Sequence, residues 1–502
     1  MEGLNSIYPE QLDFNDPSKA ILSTRRTIAI KPQSGNSISS ASSQDIIQFR
    51  LPNTGVLDVK GCYLKYNINP TLVAGSSDTT NTFQADACLQ DPYCPSAGCF
   101  RRMIVKASDG TEISNVSAYN RYCSIVNRFS HDRDYHAYQG AMLQGTPFDN
   151  GAVQTSVVRN ATAVNEGGST NHTAGKVRSN VAGGAMENQM RFDAGYTTNR
   201  DMVHQFEAGI LDHKKDYMLP LFALGSGMML ELNLADAGEV FRVCPENQDA
   251  DTASLALDVH PRSDASVSSY NISNIELVCD LVFYPSSLNQ AISQKLCNGL
   301  SLVVDRVRNQ TNTISQSETT TILNEHARSV SAILAGLRST VDINNARRFE
   351  TEYYDQPDGS NAISKIQFSV GAEMVLANEM DTAPQRYIEL EKALKAVYGD
   401  KFKMSNSVGR KEYLKAFIAD SAGAGSGGSG VYHGGALFGV NLASHPDLDD
   451  DVLAGKSSSA GTLPISLNLT MGGTPSNTQL DTFVVSQSVV QLLSDGSVLV
   501  NK

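Results

Sequence analysis

The chain has 502 residues, 41% of them hydrophobic and 19% charged, which is too apolar for a disordered chain and too polar for a stack of membrane spans. At roughly 100–200 residues per domain, this length holds two to four units, each able to bury a core. Net charge is -13, and basic residues form no run beyond pairs such as Arg25–Arg26, Arg101–Arg102 and Arg347–Arg348, so composition argues against an electrostatic nucleic-acid reader.

Period-two alternation dominates the first half. Thr27–Ile30 predicts a short strand. Gln44–Leu51 predicts a second, closed by Pro52-Asn53-Thr54-Gly55, and Val59–Ile68 a third. Met103, Val105 and Ala107 alternate into Ser108-Asp109-Gly110, and the chain returns through Ile113. Asp-Gly between extended runs marks a hairpin, because the turn needs positive φ. Ser117 is placed to cap a helix carrying Tyr119, Tyr122, Ile125, Val126 and Phe129. Residues 149–200 are rich in Gly, Asn, Ser and Thr and read as a long surface loop, as does Ser421–Gly430. Strands resume at Met228–Leu234 and Ile275–Phe283, and Pro285-Ser286-Ser287 opens a linker.

Beyond residue 298 the same order starts again. Leu302–Val307, Thr319–Leu323 and Val330–Leu337 match the first three strands. A hairpin follows, with Ile366, Phe368 and Val370 returning past Gly371-Ala372 through Met374–Leu376. A helix then runs from near Pro384 to Gly399, with Tyr387, Leu390, Leu394 and Val397 on one face. Ile465–Met471 and Phe483–Leu493 echo the last two strands of the first half. Two repeats exclude a propeller, which needs four or more. Long all-β halves point to an all-β chain of two tandem β-sandwiches with one main helix each, the eight-stranded jelly roll foremost. The expected division is an N-terminal arm at 1–24, a first roll at 25–287 and a second roll at 288–502.

Met1–Asp16 is acidic and lacks the charged-then-apolar order of a secretory leader, and no apolar run reaches the ~18 residues of a membrane span. A reducing compartment is therefore expected. The eight cysteines are too few for a disulfide scaffold. The sequons at Asn115, Asn160, Asn171, Asn271, Asn309 and Asn468 read as chance matches.

Five stretches carry a resemblance to a known family. They are Leu219-Pro220-Leu221 through Met229–Ala237, Tyr270–Leu281, Ala327–Leu334, the helix Tyr387–Tyr398, and Asp481-Thr482-Phe483-Val484-Val485. In this order they resemble the double jelly-roll, hexon-like major capsid proteins of icosahedral DNA viruses, above all those of polinton-like viruses, adintoviruses and virophages. The likeness covers most of residues 25–500 and fails in the 149–200 loop. It implies a structural role without enzymatic activity. It also implies a homotrimer whose six rolls form a pseudo-hexameric capsomer tiling the facets of an icosahedral shell. Implied partners are neighbouring trimers, a penton protein, minor capsid or cement proteins, and a host-surface receptor reached through exposed loops. Sequence-specific nucleic-acid binding and a transmembrane segment are not implied. The implied location is the virion, after synthesis in the host cytosol.

Chemical motifs are weak beside this. Gly423-Ala424-Gly425-Ser426-Gly427-Gly428 fits G-x-G-x-x-G but sits in a Gly/Ser tract without strand-to-helix context. Asp447, Asp449 and Asp451 copy the start of a calcium loop, yet Val452 stands where Gly is needed and Ser458 where the bidentate Glu belongs; an exposed acidic turn is the better reading. Cys88, Cys94 and Cys99 are spaced too widely for a zinc pair and read as free thiols in a loop. His131 and His136, beside Asp132 and Asp134, miss the i, i+4 geometry and read as surface residues. No residue is assigned as catalytic, cofactor-binding or metal-ligating, and no cofactor is expected. The second function class left open is a carbohydrate-binding or carbohydrate-active β-sandwich, since fold does not dictate function.

Overall fold

The computed structural model describes residues 23–42, 45–73, 88–90, 94–131, 200–215, 217–225, 227–243, 266–297, 300–340, 360–398, 436–444, 453–458, 463–493 and 496–501, together with Tyr135, Gly140, Leu143, Tyr353 and Tyr413. In the first half the strands are β1 (Thr24–Ile30), β2 (Ser37–Ser39), β3 (Ile46–Arg50), β4 (Val56–Val73), β5 (Cys88–Gln90), β6 (Phe100–Ala107), β7 (Glu112–Ser117), β8 (Arg200–Gln205), β9 (Met218–Pro220), β10 (Met228–Leu234), β11 (Phe241–Val243) and β12 (Ser266–Phe283). Its helices are α1 (Pro95–Gly98), α2 (Tyr119–Ser130) and α3 (Ala237–Val240). The second half has α4 (Ser286–Cys297), β13 (Leu300–Ile314), β14 (Glu318–Leu323), β15 (Ser329–Ser339), β16 (Ile363–Val370), β17 (Glu373–Met374), α5 (Ala383–Tyr398), β18 (Leu437–Asn441), β19 (Ile465–Met471), β20 (Thr478–Leu492) and β21 (Val498–Asn501).

The eight main strands of the first half can be lettered B to I in chain order: β1, β3, β4, β6, β7, β8, β10 and β12. They pair antiparallel as β1-β12-β4-β8, or B-I-D-G, and as β7-β6-β10-β3, or F-E-H-C. The main strands of the second half, from β13 to β20, repeat the arrangement. They form β18-β15-β20-β13, G-D-I-B, and β14-β19-β16-β17, C-H-E-F. Two four-stranded sheets in this order are a jelly roll, and the chain contains it twice. Every strand matched between halves from the sequence occupies the same letter in both rolls.

Burial follows the alternation. From Cys62 to Pro70 the side chains of β4 alternate buried and more exposed without a break, and Leu64, Tyr66 and Ile68 meet Phe49, Val105, Leu230 and Leu232 of the facing sheet in one core. The β4–β12 ladder is interrupted by bulges near Ser273–Glu276 and Val278–Asp280, which let two 18-residue strands bend around that core. One bulge presses Gly61 against Asp280, where an added Cβ would stand 2.5 Å from the carboxylate. The predicted Asp109-Gly110 turn joins β6 to β7: Gly110 has φ of +87°, and Asp109 Oδ1 accepts the Thr111 N–H at 2.8 Å.

In the second roll, β20 runs between β13 and β15. Its even-numbered residues Leu480 and Val484 face the sandwich core with Ile366, Phe368 and Leu467. Odd-numbered Phe483 and Val485 face the opposite way, toward Leu390, Ala393, Leu394 and Val397 of α5. The strand is therefore buried on both sides through its middle, where Phe483-Val484-Val485 places apolar residues on both faces in succession. Close approach of α5 requires Gly439, where an added Cβ would lie 3.0 Å from that of Ala393 and 2.9 Å from the Ile333 carbonyl oxygen.

Three expectations are corrected. Residues 286–297, where a linker was expected to open, form helix α4: Pro285 sets the turn, and its carbonyl accepts the Leu288 and Asn289 N–H groups. Ser117 is not the cap of α2; that position is Ala118 at φ of +50°, and Ser117 ends β7. The strands are also longer than their apolar cores, since β1 begins at Thr24 and β13 reaches Ile314. Backbone pairing carries strands through polar residues that alternation cannot mark.

Candidate functional site

The feature that sets this chain apart from a single sandwich is the seam between its rolls. Strand β13 pairs antiparallel with β20 on one edge and meets β7 in parallel on the other, with Val307 opposite Val116. The F-E-H-C sheet of the first roll thereby continues into the G-D-I-B sheet of the second as one nine-stranded sheet. Ser117 explains why the join holds beyond one bridge. Its hydroxyl donates to the Val307 carbonyl at 3.2 Å and accepts the Asn309 N–H at 2.9 Å. A side chain thus extends the ladder where the strand directions diverge.

Asp481 lies under this join with no exposure to solvent. It accepts hydrogen bonds from Asn309 Nδ2 at 2.6 Å and from the Tyr353 hydroxyl at 2.8 Å. Arg121, on α2 of the first roll, brings Nη1 to 3.3 Å from it, and Arg338 Nε stands at 3.9 Å. Arg121 also donates to Asn309 Oδ1 at 2.9 Å. A carboxylate is tolerated here because hydrogen-bond donors and two guanidinium groups surround it. Burial and the neighbouring Asp481 hold the Tyr353 phenol well above its ordinary pKa, so it stays a donor. Around this point Glu112 pairs with Arg306 at 3.2 Å and Lys215 with Asp305 at 3.5 Å. Tyr217 donates to the Val303 carbonyl at 2.6 Å, and the Tyr122 and Tyr398 hydroxyls meet at 3.0 Å. The apolar share comes from Tyr122 against Phe483 and from Val304, Val307 and Val116 in the common core.

A second polar group lies inside the first roll. His204 on β8 is buried, its Nδ1 3.0 Å from Ser96 Oγ and its Nε2 2.8 Å from the Tyr119 hydroxyl. Burial pushes its pKa down to about 3, with the charge of His213 adding to the effect, so the imidazole stays neutral. Glu207, just past β8, accepts from Asn127 Nδ2 at 2.9 Å, and its backbone N–H donates to Tyr119 at 3.2 Å. Burial raises its pKa. One sulfur each of Cys94 and Cys123 and one carboxylate oxygen of Glu207 lie within 4.8 Å of one another, all three residues buried.

The motifs singled out in sequence fare differently. Gly423–Gly428, Asp447, Asp449, Asp451, Val452 and His136 lie outside the described residues. So does the 149–200 segment except Arg200, which opens β8. Ser458 is buried and donates to the Glu325 carbonyl at 2.8 Å. His131 follows the last turn of α2 with its ring stacked on Tyr135 at 3.8 Å. The loop reading of Cys94 and Cys99 is corrected: both flank the short buried helix α1 and sit in the core without exposure. Aromatic packing by Tyr66, Phe100 and Tyr270 fills the space around them. Cys62, Cys94, Cys99, Cys123 and Cys279 are all free thiols. Among the described residues no helix is long and apolar enough to cross a membrane.

No family model matches the chain, and no curated protein matches its sequence. Solved structures do match it. The Faustovirus major capsid protein superimposes with a TM-score of 0.54 at 11% identity, over 97% of this chain and 93% of that one. The cryo-EM structure of the Sputnik virophage gives 0.54 at 12% identity, over 98% and 92%. The PBCV-1 virus capsid gives 0.52 at 9% identity, over 97% and 98%. Strand order and these full-length superpositions agree on the class: this is a double jelly-roll protein, and its fold is that of viral capsid proteins.

Proposed function

We propose that the chain is the major capsid protein of an icosahedral virus. It assembles as a homotrimer into pseudo-hexameric capsomers that pave the facets of the shell. The observation that carries this reading is the pair of complete jelly rolls welded through β7 and β13 into one continuous sheet. Two similar rolls held in fixed orientation give a three-fold assembly six similar lobes, and closed cyclic trimers are a standard symmetric solution. A buried, charge-compensated seam suits that task, because loose rolls would present no constant outline to neighbouring tiles.

The division at 1–24, 25–287 and 288–502 belongs to this reading. So do a structural rather than enzymatic role, neighbouring trimers and penton, minor or cement proteins as partners, and the virion as its place. Residues 149–200 and 421–430 are assigned to outward-facing loops with any receptor contact. Size-exclusion chromatography with light scattering tests it: the purified chain should run at three times 54.0 kDa. A monomer that binds glycans would overturn this reading and return the carbohydrate-binding class.

A further inference from the structure

The three groups gathered beneath α1 come from distant points of the chain. Cys94 precedes α1, Cys123 lies in the middle of α2, and Glu207 follows β8. They converge because α2 packs on α1 and α1 packs on β8. Their ligand atoms lie within 4.8 Å of one another and all three residues are buried. At Zn–S of about 2.3 Å and Zn–O of about 2.0–2.2 Å, tetrahedral ligands stand about 3.5–3.8 Å apart. Small inward rotations of three side chains would close that shell.

An independent observation points to a missing ligand. Glu207 is only 7% exposed, and its Oε2 has no hydrogen-bond partner. Its Oε1 accepts from Asn127 and lies 3.9 Å from Cys94 Sγ. Ionised, the carboxylate would leave Oε2 without a donor in the protein interior; protonated, it would leave Oε2 without an acceptor. Either state carries the cost of an unsatisfied buried polar atom, and a metal ion at Oε2 removes it. Asn127 stands one helical turn after Cys123 and fixes the carboxylate through Nδ2, while its own Oδ1 lacks a partner. That is the arrangement of an outer residue that orients a ligand. The charge is also largely offset. Two thiolates and a carboxylate sum to -3 and a divalent ion restores +2, with Lys214 acting electrostatically on Glu207 from the side.

We propose that Cys94, Cys123 and Glu207 bind a divalent ion of the zinc class, with Asn127 as the positioning residue. Binding releases the two thiol protons, and the carboxyl proton where Glu207 holds one, with no change of oxidation state. The fourth position falls to a water or to Asn127 Oδ1. The ion would pin α1 and α2 to the end of β8, and α2 is the helix whose Arg121 reaches Asp481 across the seam.

Cobalt(II) titrated into the reduced, chelator-treated full-length chain tests this whatever its oligomeric state. The expected result is one ion per chain, a thiolate-to-cobalt charge-transfer band, and d–d bands of tetrahedral intensity. X-ray absorption should find two sulfur neighbours, with oxygen or nitrogen completing the shell. Cys94→Ser and Cys123→Ser should each weaken the charge-transfer band by about half or more, and the double variant should abolish it. Asn127→Ala should keep the fold and bind about 10- to 100-fold more weakly, Glu207→Gln should keep the fold and bind more weakly still because it loses a ligand, and Cys62→Ser should bind as wild type. A folded chain that shows no band overturns the proposal. So does a band surviving in the Cys94→Ser Cys123→Ser double variant, four sulfur neighbours, or a Cys94–Cys123 disulfide in protein taken from reducing cells. Where a serine variant fails to fold, the sulfur count on the wild-type chain decides alone.

Discussion

Replacing Asp481 by Asn removes one charge and almost no volume from the join between the rolls. With its oxygen at the Oδ1 position the amide still accepts from Asn309, now at 2.6 Å, and its NH2 at the Oδ2 position can donate to the Tyr353 hydroxyl, now at 2.8 Å, once that hydroxyl turns to accept. The two guanidinium groups lose this carboxylate's charge, and their side chains are only 13% and 6% exposed at Arg121 and Arg338. Breaking a buried ion pair by removing one partner costs about 3–5 kcal/mol. Retention of two neutral hydrogen bonds places Asp481→Asn toward the lower end, about 3 kcal/mol. Asp481→Leu also orphans Asn309 and Tyr353 and should cost more. Arg121→Met leaves Asp481 with Arg338 and should cost less than either. Urea unfolding followed by far-UV circular dichroism and tyrosine fluorescence measures the series. Because the lost contacts join two rolls, the Asp481 variants should also split the two probes into separate transitions, a failure of two-state behaviour. A change below about 1 kcal/mol for Asp481→Asn, against the 3–5 kcal/mol expected of a buried pair, would refute the account of the seam. So would Arg121→Met costing more than Asp481→Asn.

Acid stability should follow His204. Its folded pKa of about 3 lies below the ordinary 6.5, so the unfolded chain takes up the proton first and stability falls as pH drops from 6.5 toward 3, by on the order of 4 kcal/mol. His204→Gln should flatten that limb of the urea-midpoint profile, and an unchanged slope would assign acid unfolding elsewhere. Asp212 acts oppositely: burial pushes it up to about 6 from an ordinary 3.8, so its penalty is complete above pH 6 and is relieved toward pH 3.8. Asp212→Asn should raise stability at pH 7 relative to pH 4, read from the same midpoints. Phe483→Ala removes a fully buried ring between Tyr122 and the α5 face and should cost about 3–5 kcal/mol in the same denaturant series; a cost near zero would deny the shared core. With -13 charges per chain, trimers should stay dispersed in low salt and associate as salt screens them. Light scattering that shows the reverse would mean attractive charge pairs dominate between tiles.

The repeat is readable because most of these strands bury one face, and period-two alternation records that in order. Strands B, C, D, E, H and I were visible in both halves for this reason. The two G strands were not. Arg200–Gln205 adjoins a polar segment and holds the buried His204 among other polar residues, and Leu437–Asn441 is short and follows a Gly/Ser tract. The seam was illegible for a different reason. Arg121 and Asp481 are paired only by the fold, and no spacing rule links residues so far apart. Ser117 resembled a helix cap because a hydroxyl before a helix usually is one, whereas here the neighbouring strand claims it. The Cys94, Cys123 and Glu207 group is hidden likewise: sequence spacing groups Cys94 with Cys88 and Cys99, while its partners in the fold arrive from α2 and from the end of β8.

Single-particle electron microscopy of the purified chain tests the central claim most directly. The account predicts a three-fold particle with a hexagonal outline and six upright lobes, alternating between the first and second roll. A two-lobed monomer, or a closed assembly without a three-fold axis, would contradict it.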